Sequence, residues 1–157
     1  MITIWVDADS CPKSVRTYLI DYSFKLKLKI NFVANKKIPC HNEHIFFSMI
    51  ITDNQSQAAD NYIFNNTSQY DIVITRDILL AERLVNKNIT VLNDRGNMWT
   101  KENIKERKSE RDFNLQLALI GLGGDTKNSY GKKEFANFAN CFDREIHQLM
   151  KKEKLQS

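Results

Sequence analysis

The chain carries only three cysteines, and Cys11, Cys40 and Cys141 are widely spaced and odd in number. A disulfide framework needs paired cysteines, so that class is excluded and a reducing compartment, the cytoplasm, is expected. No apolar run approaches the ~18 residues of a membrane span, and no membrane partner is expected. No basic segment followed by a long apolar stretch opens the chain, so no secretory leader is expected. Internal repeats and low-complexity tracts are absent too.

What is present fits one folded unit. The chain has 157 residues, of which 42% are apolar, a length and composition suited to one core. Residues 1–150 are expected to form a single domain, with 151–157 as a polar tail. Net charge is +4 and unevenly placed. Residues 1–94 hold 10 Lys/Arg and 10 Asp/Glu, whereas residues 95–157 hold 13 and 9. A basic half beside a neutral half suits a polyanionic partner, although charged helix surfaces often serve only solvation.

Residues 2–6 (ITIWV) are apolar at nearly every position and rich in β-formers, which reads as a central parallel strand covered on both faces. Further strands are expected at 28–33, 46–51, 70–75 and 89–92. A helix is expected from Pro12 to about Phe24, because proline suits a first helical turn. Others are expected at 56–66, capped by Ser56, and at 77–87. Two more helices follow from about Lys101, broken by the loop at 121–131. That loop holds four of the five glycines but lacks the spacing of a phosphate loop. Strands alternating with helices imply a parallel sheet with right-handed crossovers.

Carboxylates gather where such a sheet binds ligands, at the carboxyl ends of its strands. Asp7 and Asp9 follow the first strand, Asp77 follows IVIT, and Asp94 follows ITVL. Asp60 sits four residues before Phe64 in QAADNYIF and shares its helix face. Packed carboxylates repel unless a proton or a cation intervenes. Hard oxygen donors suit Mg²⁺ or Mn²⁺, which can activate water and stabilise a phosphodiester transition state. Each aspartate also has a plainer reading as a cap or turn residue, and Asp77 before ILLAERL is a good cap by itself.

Other residues carry weaker signals. Arg95, Lys101, Arg107, Lys108 and Arg111 follow the last acidic strand. Arg107 and Arg111 fall on one helix face, where they could grip phosphates near the acids or pair with Glu106, Glu110 and Asp112. Tyr130, Lys132 and Lys133 are placed to touch nucleic acid. Trp5 lies inside the first strand and reads as core. Cys11 stands at a helix start, where a thiolate is favoured. The CHNEH segment, with Cys40, His41 and His44, lacks the spacing of a zinc finger or ribbon.

A set of motifs occurs in order: VDADSCP (6–12), FVAN (32–35), AADNYI (58–63), DIVITRDILLA (71–81), LNDRG (92–96), ENIKER with RDFN (102–114), and FANFANCFDR (135–144). Together they resemble the YaiI/YqxD family of bacterial proteins, which is grouped with PIN-like domains. The resemblance implies a three-layer α/β/α sandwich around a mainly parallel sheet. It also implies a Mg²⁺- or Mn²⁺-dependent ribonuclease-like hydrolase. By that resemblance Asp7, Asp60 and Asp77 match the three PIN acids, with Thr75 supporting Asp77 in the T-x-D element. Asp9 belongs to the family's DAD motif. Asp94 is a candidate fourth acid, although this sequence reads NDRG where NPRG is expected.

The expected function is therefore divalent-metal-dependent hydrolysis of RNA or single-stranded nucleic acid. Asp7, Asp9, Asp60 and Asp77 would be catalytic, with the metal on Asp7, Asp60 and Asp77. Arg95, Arg107, Arg111 and Lys132 would hold the nucleic acid. A haloacid-dehalogenase-type phosphatase would instead use Asp7 as nucleophile and Asp9 as acid/base. Cys11-Pro12 replaces that family's usual residues, and there is no room for a cap domain. A non-catalytic RNA-binding domain is the third reading. The sequence leaves the oligomeric state open.

Overall fold

The structure is a computed structural model and describes residues 1–40, 42–55, 57–122 and 129–156. The expected cap Ser56, His41 of CHNEH and residues 123–128 of the glycine-bearing loop lie outside the described residues. The elements in chain order are β1 (Thr3–Asp7), α1 (Lys13–Leu26), β2 (Lys29–Ala34), β3 (Phe47–Ile51), α2 (Ala58–Asn66), β4 (Ile72–Ile74), α3 (Ile78–Asn86), β5 (Thr90–Leu92), α4 (Lys101–Leu119) and α5 (Lys132–Gln156). The five strands form one sheet in the order β3-β2-β1-β4-β5. Every neighbouring pair is parallel.

Side chains alternate across each strand and divide the core in two. On one face Ile4, Val6, Ile30, Phe32, Ile72 and Ile74 pack against Val15, Leu19 and Ile20 of α1 and Phe138, Phe142 and Ile146 of α5. On the other, Trp5, Val33, Val73 and Val91 pack against Ala59 and Ile63 of α2, Leu80 and Leu84 of α3, and Ile104 of α4. The result is the three-layer sandwich. Trp5 is core, as its place in the strand implied, and its indole Nε1 donates to Asp71 Oδ2 at 3.0 Å.

The helix ends explain the departures from the expected boundaries. After β1 the chain makes a 3-10 turn at Ala8–Ser10, and Pro12 keeps an extended ψ of 148°. Pro12 therefore caps α1 from outside, and the helix begins at Lys13. It runs past Phe24 to Leu26 and stops where Lys27 turns left-handed (φ 56°). There the Leu28 N–H closes on the Ser23 carbonyl at 3.0 Å. α4 opens on a capping box between Thr100 and Asn103. Residues 151–156, set apart as a tail in the sequence, continue α5, and Glu153 pairs with the Met1 amine at 2.9 Å.

Gly96, in the turn after β5, has φ +89°, and a Cβ there would lie 2.5 Å from the main chain of Asn137 in α5. Glycine is required on both counts.

Asp71 ties down the end of the sheet opposite the acids. Its buried carboxylate accepts from Thr3 N–H (2.9 Å), the Trp5 indole (3.0 Å) and Ser68 N–H (2.9 Å). Asp71→Ala leaves these donors without that acceptor, and orphaned donors cost about 1–3 kcal/mol each where water does not reach. A loss of about 2–4 kcal/mol in urea unfolding is expected. An unchanged midpoint would show that this carboxylate does not hold the strand ends together.

Candidate active site

In this strand order the crevice lies where the chain reverses direction across the sheet, between β1 and β4. The register there positions the acids. β1 pairs Val6 with Ile74 of β4, so one step further brings Asp7 beside Thr75. β1 pairs Asp7 with Val33 of β2, so two steps further bring Asp9 beside Asn35. Asp7 shares strand parity with Trp5 and faces the α2–α3 layer. α2 supplies Asp60 in its first turn, and Asp77 is the N-cap of α3. Asp7, Asp9, Asp60 and Asp77 line one pocket of about 480 Å³, together with Arg76 and Arg111.

Hydrogen bonds fix three of the four acids. The Thr75 hydroxyl donates to Asp7 Oδ2 at 2.9 Å and accepts from the Asp77 N–H at 3.0 Å. Asp77 Oδ1 accepts from Leu79 N–H (2.8 Å) and Leu80 N–H (3.2 Å). Asp77 is thus both the helix cap and a wall of the pocket. The Asn35 N–H donates to Asp9 Oδ2 at 2.9 Å.

Burial raises the Asp7 carboxyl to about 6, helped by repulsion from Asp77 and Asp9 and opposed by the Thr75 hydroxyl. Asp60 is also pushed well above the usual carboxylate range. Burial leads there too, followed by a hydrogen bond to Asp77 that favours protonated Asp60, and by repulsion from Asp77 and Asp7. The opposing cation is Arg83. Two acids that resist ionisation side by side form a set that a cation would relieve.

Among the described residues, no three His, Cys, Asp or Glu side chains are grouped closely enough to form a metal cage. The donors fit a different kind of site. Mg²⁺ keeps several waters and needs only one or two protein carboxylates in an open pocket. All-oxygen donors under mutual repulsion match that requirement, so the residues present fit a partly hydrated Mg²⁺ or Mn²⁺.

The basic residues divide. Arg111 lines the acid pocket, whereas Arg107, expected beside it, lines a separate cavity with Asn93, Trp99 and Glu106. Arg95 lies 3.9 Å from Glu134 and over the Tyr130 ring. Lys132 opens α5, exposed and outside the acid pocket's lining. Asp94 is buried, does not line the pocket and pairs with Arg76. Arg76 itself was missed in the sequence. Its one signal there was its place between Thr75 and Asp77.

Cys11 is no thiolate. Burial, then Asp94, push its thiol up and outweigh Arg16 and Arg76. His44 is structural. Its Nδ1 accepts from Phe46 N–H at 3.0 Å, so Nε2 carries the proton and donates to the Ile20 carbonyl at 2.8 Å. No helix among the described residues is long and apolar enough to cross a membrane.

The sequence model described as "Uncharacterized BCR, YaiI/YqxD family" matches residues 5–148. The chain belongs to the YaiI/YqxD family. Among its curated relatives, the UPF0178 protein of Treponema denticola is 43% identical across 98% of this chain and 97% of its own length. That of Treponema pallidum is 41% identical across 96% and 84%. That of Psychromonas ingrahamii is 36% identical across 96% and 99%. No solved structure matches. The family match spans β1 to α5 and so includes every residue of the acid pocket.

The raised Asp7 carboxyl has a consequence for stability. The folded chain holds this proton up to about pH 6, whereas an unfolded aspartate releases it near ~3.9. Ionising Asp7 therefore costs stability as pH rises through this window, on the order of 2–3 kcal/mol when complete. With chelator present, Asp7→Asn is expected to melt several degrees above the parent near pH 8. The two should converge near pH 4. A difference that stays constant with pH would show that burial and its neighbours do not hold Asp7 protonated.

Proposed function

We propose that this protein hydrolyses phosphodiester bonds of RNA or other single-stranded nucleic acid, with a largely hydrated Mg²⁺ or Mn²⁺ held directly by one or two of Asp7, Asp60 and Asp77 and through water by the rest. The observation that carries this reading is the meeting of four aspartates and Arg111 in one pocket, with Asp7 and Asp60 resisting ionisation. The basic excess of residues 95–157 and the PIN-like resemblance support the nucleic-acid substrate.

Bound there, a divalent ion would supply an activated water and charge neutralisation at the phosphate. The chain's own residues do the rest. Thr75 holds Asp7 in one orientation through its hydroxyl. Asp77 is fixed by the first turn of α3. Asp9, held by the Asn35 N–H, orients the attacking water or accepts its proton. Arg111 approaches the substrate backbone from α4.

Parent and Asp7→Asn are compared on a labelled single-stranded RNA across a Mn²⁺ series, with melting recorded on the same samples. The parent is expected to cleave and to gain stability with Mn²⁺ by mass action. Asp7→Asn is expected to do neither while staying folded. If Asp7→Asn cleaves and responds to Mn²⁺ like the parent, the reading fails. Mn²⁺ stabilisation of the parent alone, without cleavage, would keep the metal site and discard the substrate. An aspartyl-phosphate mimic trapped by beryllium fluoride would replace hydrolysis of diesters by phosphatase chemistry, and RNA binding indifferent to Mn²⁺ would leave a binding domain.

A further inference from the structure

We propose that Arg76, tethered by the buried carboxylate of Asp94, grips a substrate phosphate at the rim of the acid pocket. The inference deepens the phosphodiester reading and rests on it.

The register explains why these two residues meet. β4 pairs Ile74 with Leu92 of β5, and two steps beyond each strand lie Arg76 and Asp94. Asp94 Oδ2 accepts from Arg76 Nε. The Asp94 side chain is 4% exposed and that of Arg76 is 44% exposed. The pair thus has a buried anchor and a solvent-facing cation. Nε engages the inner edge of the guanidinium, and its terminal nitrogens make no hydrogen bond among the described residues. A guanidinium fork with a free outer edge is the geometry that takes a phosphate bidentately.

The loop bearing Asp94 is itself braced. Tyr130 Oη donates to the Asp94 carbonyl at 2.7 Å. Asn93 Oδ1 accepts from the N–H groups of Arg95 and Asn97, each at 3.0 Å.

Arg76 shares a pocket with four carboxylates, but its ion pair is with Asp94. The cation that opposes proton retention at Asp60 is Arg83, and at Asp7 the opposing group is the Thr75 hydroxyl. The charge of Arg76 is felt instead at Cys11 and Tyr130, on the Asp94 side. Asp94 holds the guanidinium on its own side of the pocket through the bond to Nε. The acids stay available to a metal and the guanidinium stays available to a phosphate. Asp94 is accordingly a positioning residue, not a fourth metal ligand.

The test is single-stranded RNA binding with chelator present, followed by anisotropy over a salt series, beside Mn²⁺-dependent cleavage. Arg76→Gln is expected to weaken binding roughly tenfold or more. The salt slope should fall by about 0.7, as for one lost phosphate contact on a single strand. Asp94→Asn gives the discriminating sign. It removes a negative charge, so simple electrostatics predicts tighter RNA binding, whereas loss of the tether predicts weaker binding. The double variant should bind no worse than Arg76→Gln alone, because the two residues act as one unit. Melting checks that Asp94→Asn is folded, and if it is not, Arg76→Gln and Arg76→Lys decide by binding and salt slope. Lysine keeps the charge but not the fork, so only partial recovery is expected.

If the parent cleaves RNA and Arg76→Gln binds and cleaves like it, the anchor fails and the nuclease reading stands. If the parent binds RNA through Arg76 without Mn²⁺-dependent cleavage, the anchor stands and the nuclease reading fails. If the parent binds no RNA, both are overturned.

Discussion

One hydroxyl group joins the halves of this molecule. Thr75 donates to the last residue of β1 and accepts from the residue that caps α3. The first bond follows from the parallel register of β1 and β4, and the second is a local turn between residues two apart. A parallel pair places strand ends side by side, so the residues just beyond them meet whatever their distance in sequence. The same rule sets Asp9 against Asn35 and Arg76 against Asp94. The pocket is therefore a row of sheet positions continued past the hydrogen-bonded strands.

That rule explains which features the sequence made legible. Strands such as ITIWV and DIVIT announce themselves by continuous apolar character, because a parallel strand is buried on both faces. With the strands located, Asp7, Asp9 and Asp77 fall at their ends. Asp60 needed only the face it shares with Phe64. The order of strands across the sheet was not legible, and it decides which ends are neighbours. Asp94 shows the difference. It follows a strand as Asp77 does, but β5 is the edge strand next to β4, so its partner is Arg76. Arg107 and Arg111 show another limit. Helical spacing puts them on one face, yet one turn along α4 moves a side chain from the acid pocket to a different cavity. Periodicity describes a helix about its own axis and says nothing of where that axis passes.

Charge is distributed around the pocket so that the carboxylates remain under strain. Arg83 is engaged with Asn61 at 2.9 Å and lies over the Phe64 ring. Arg76 is turned to Asp94, and Arg111 of α4 also lines the pocket. Three arginines stand near four acids, and two of the three are committed elsewhere. Carboxylates arranged for structural ion pairs would have been satisfied by them. Here burial, with repulsion added to it, shows in the raised proton affinities of Asp7 and Asp60.

The bare backbone at Gly96 gives the molecule an order of assembly. The four aspartates of the pocket are all synthesised by residue 77. The turn that carries Asp94 is different. Its outer surface is closed by the main chain of Asn137 and Phe138, which come against Gly96 more closely than any side chain would permit. Until those residues exist, the turn has no backing on that side. On the ribosome the acids are thus in the nascent chain well before α5 presses home and seats the turn.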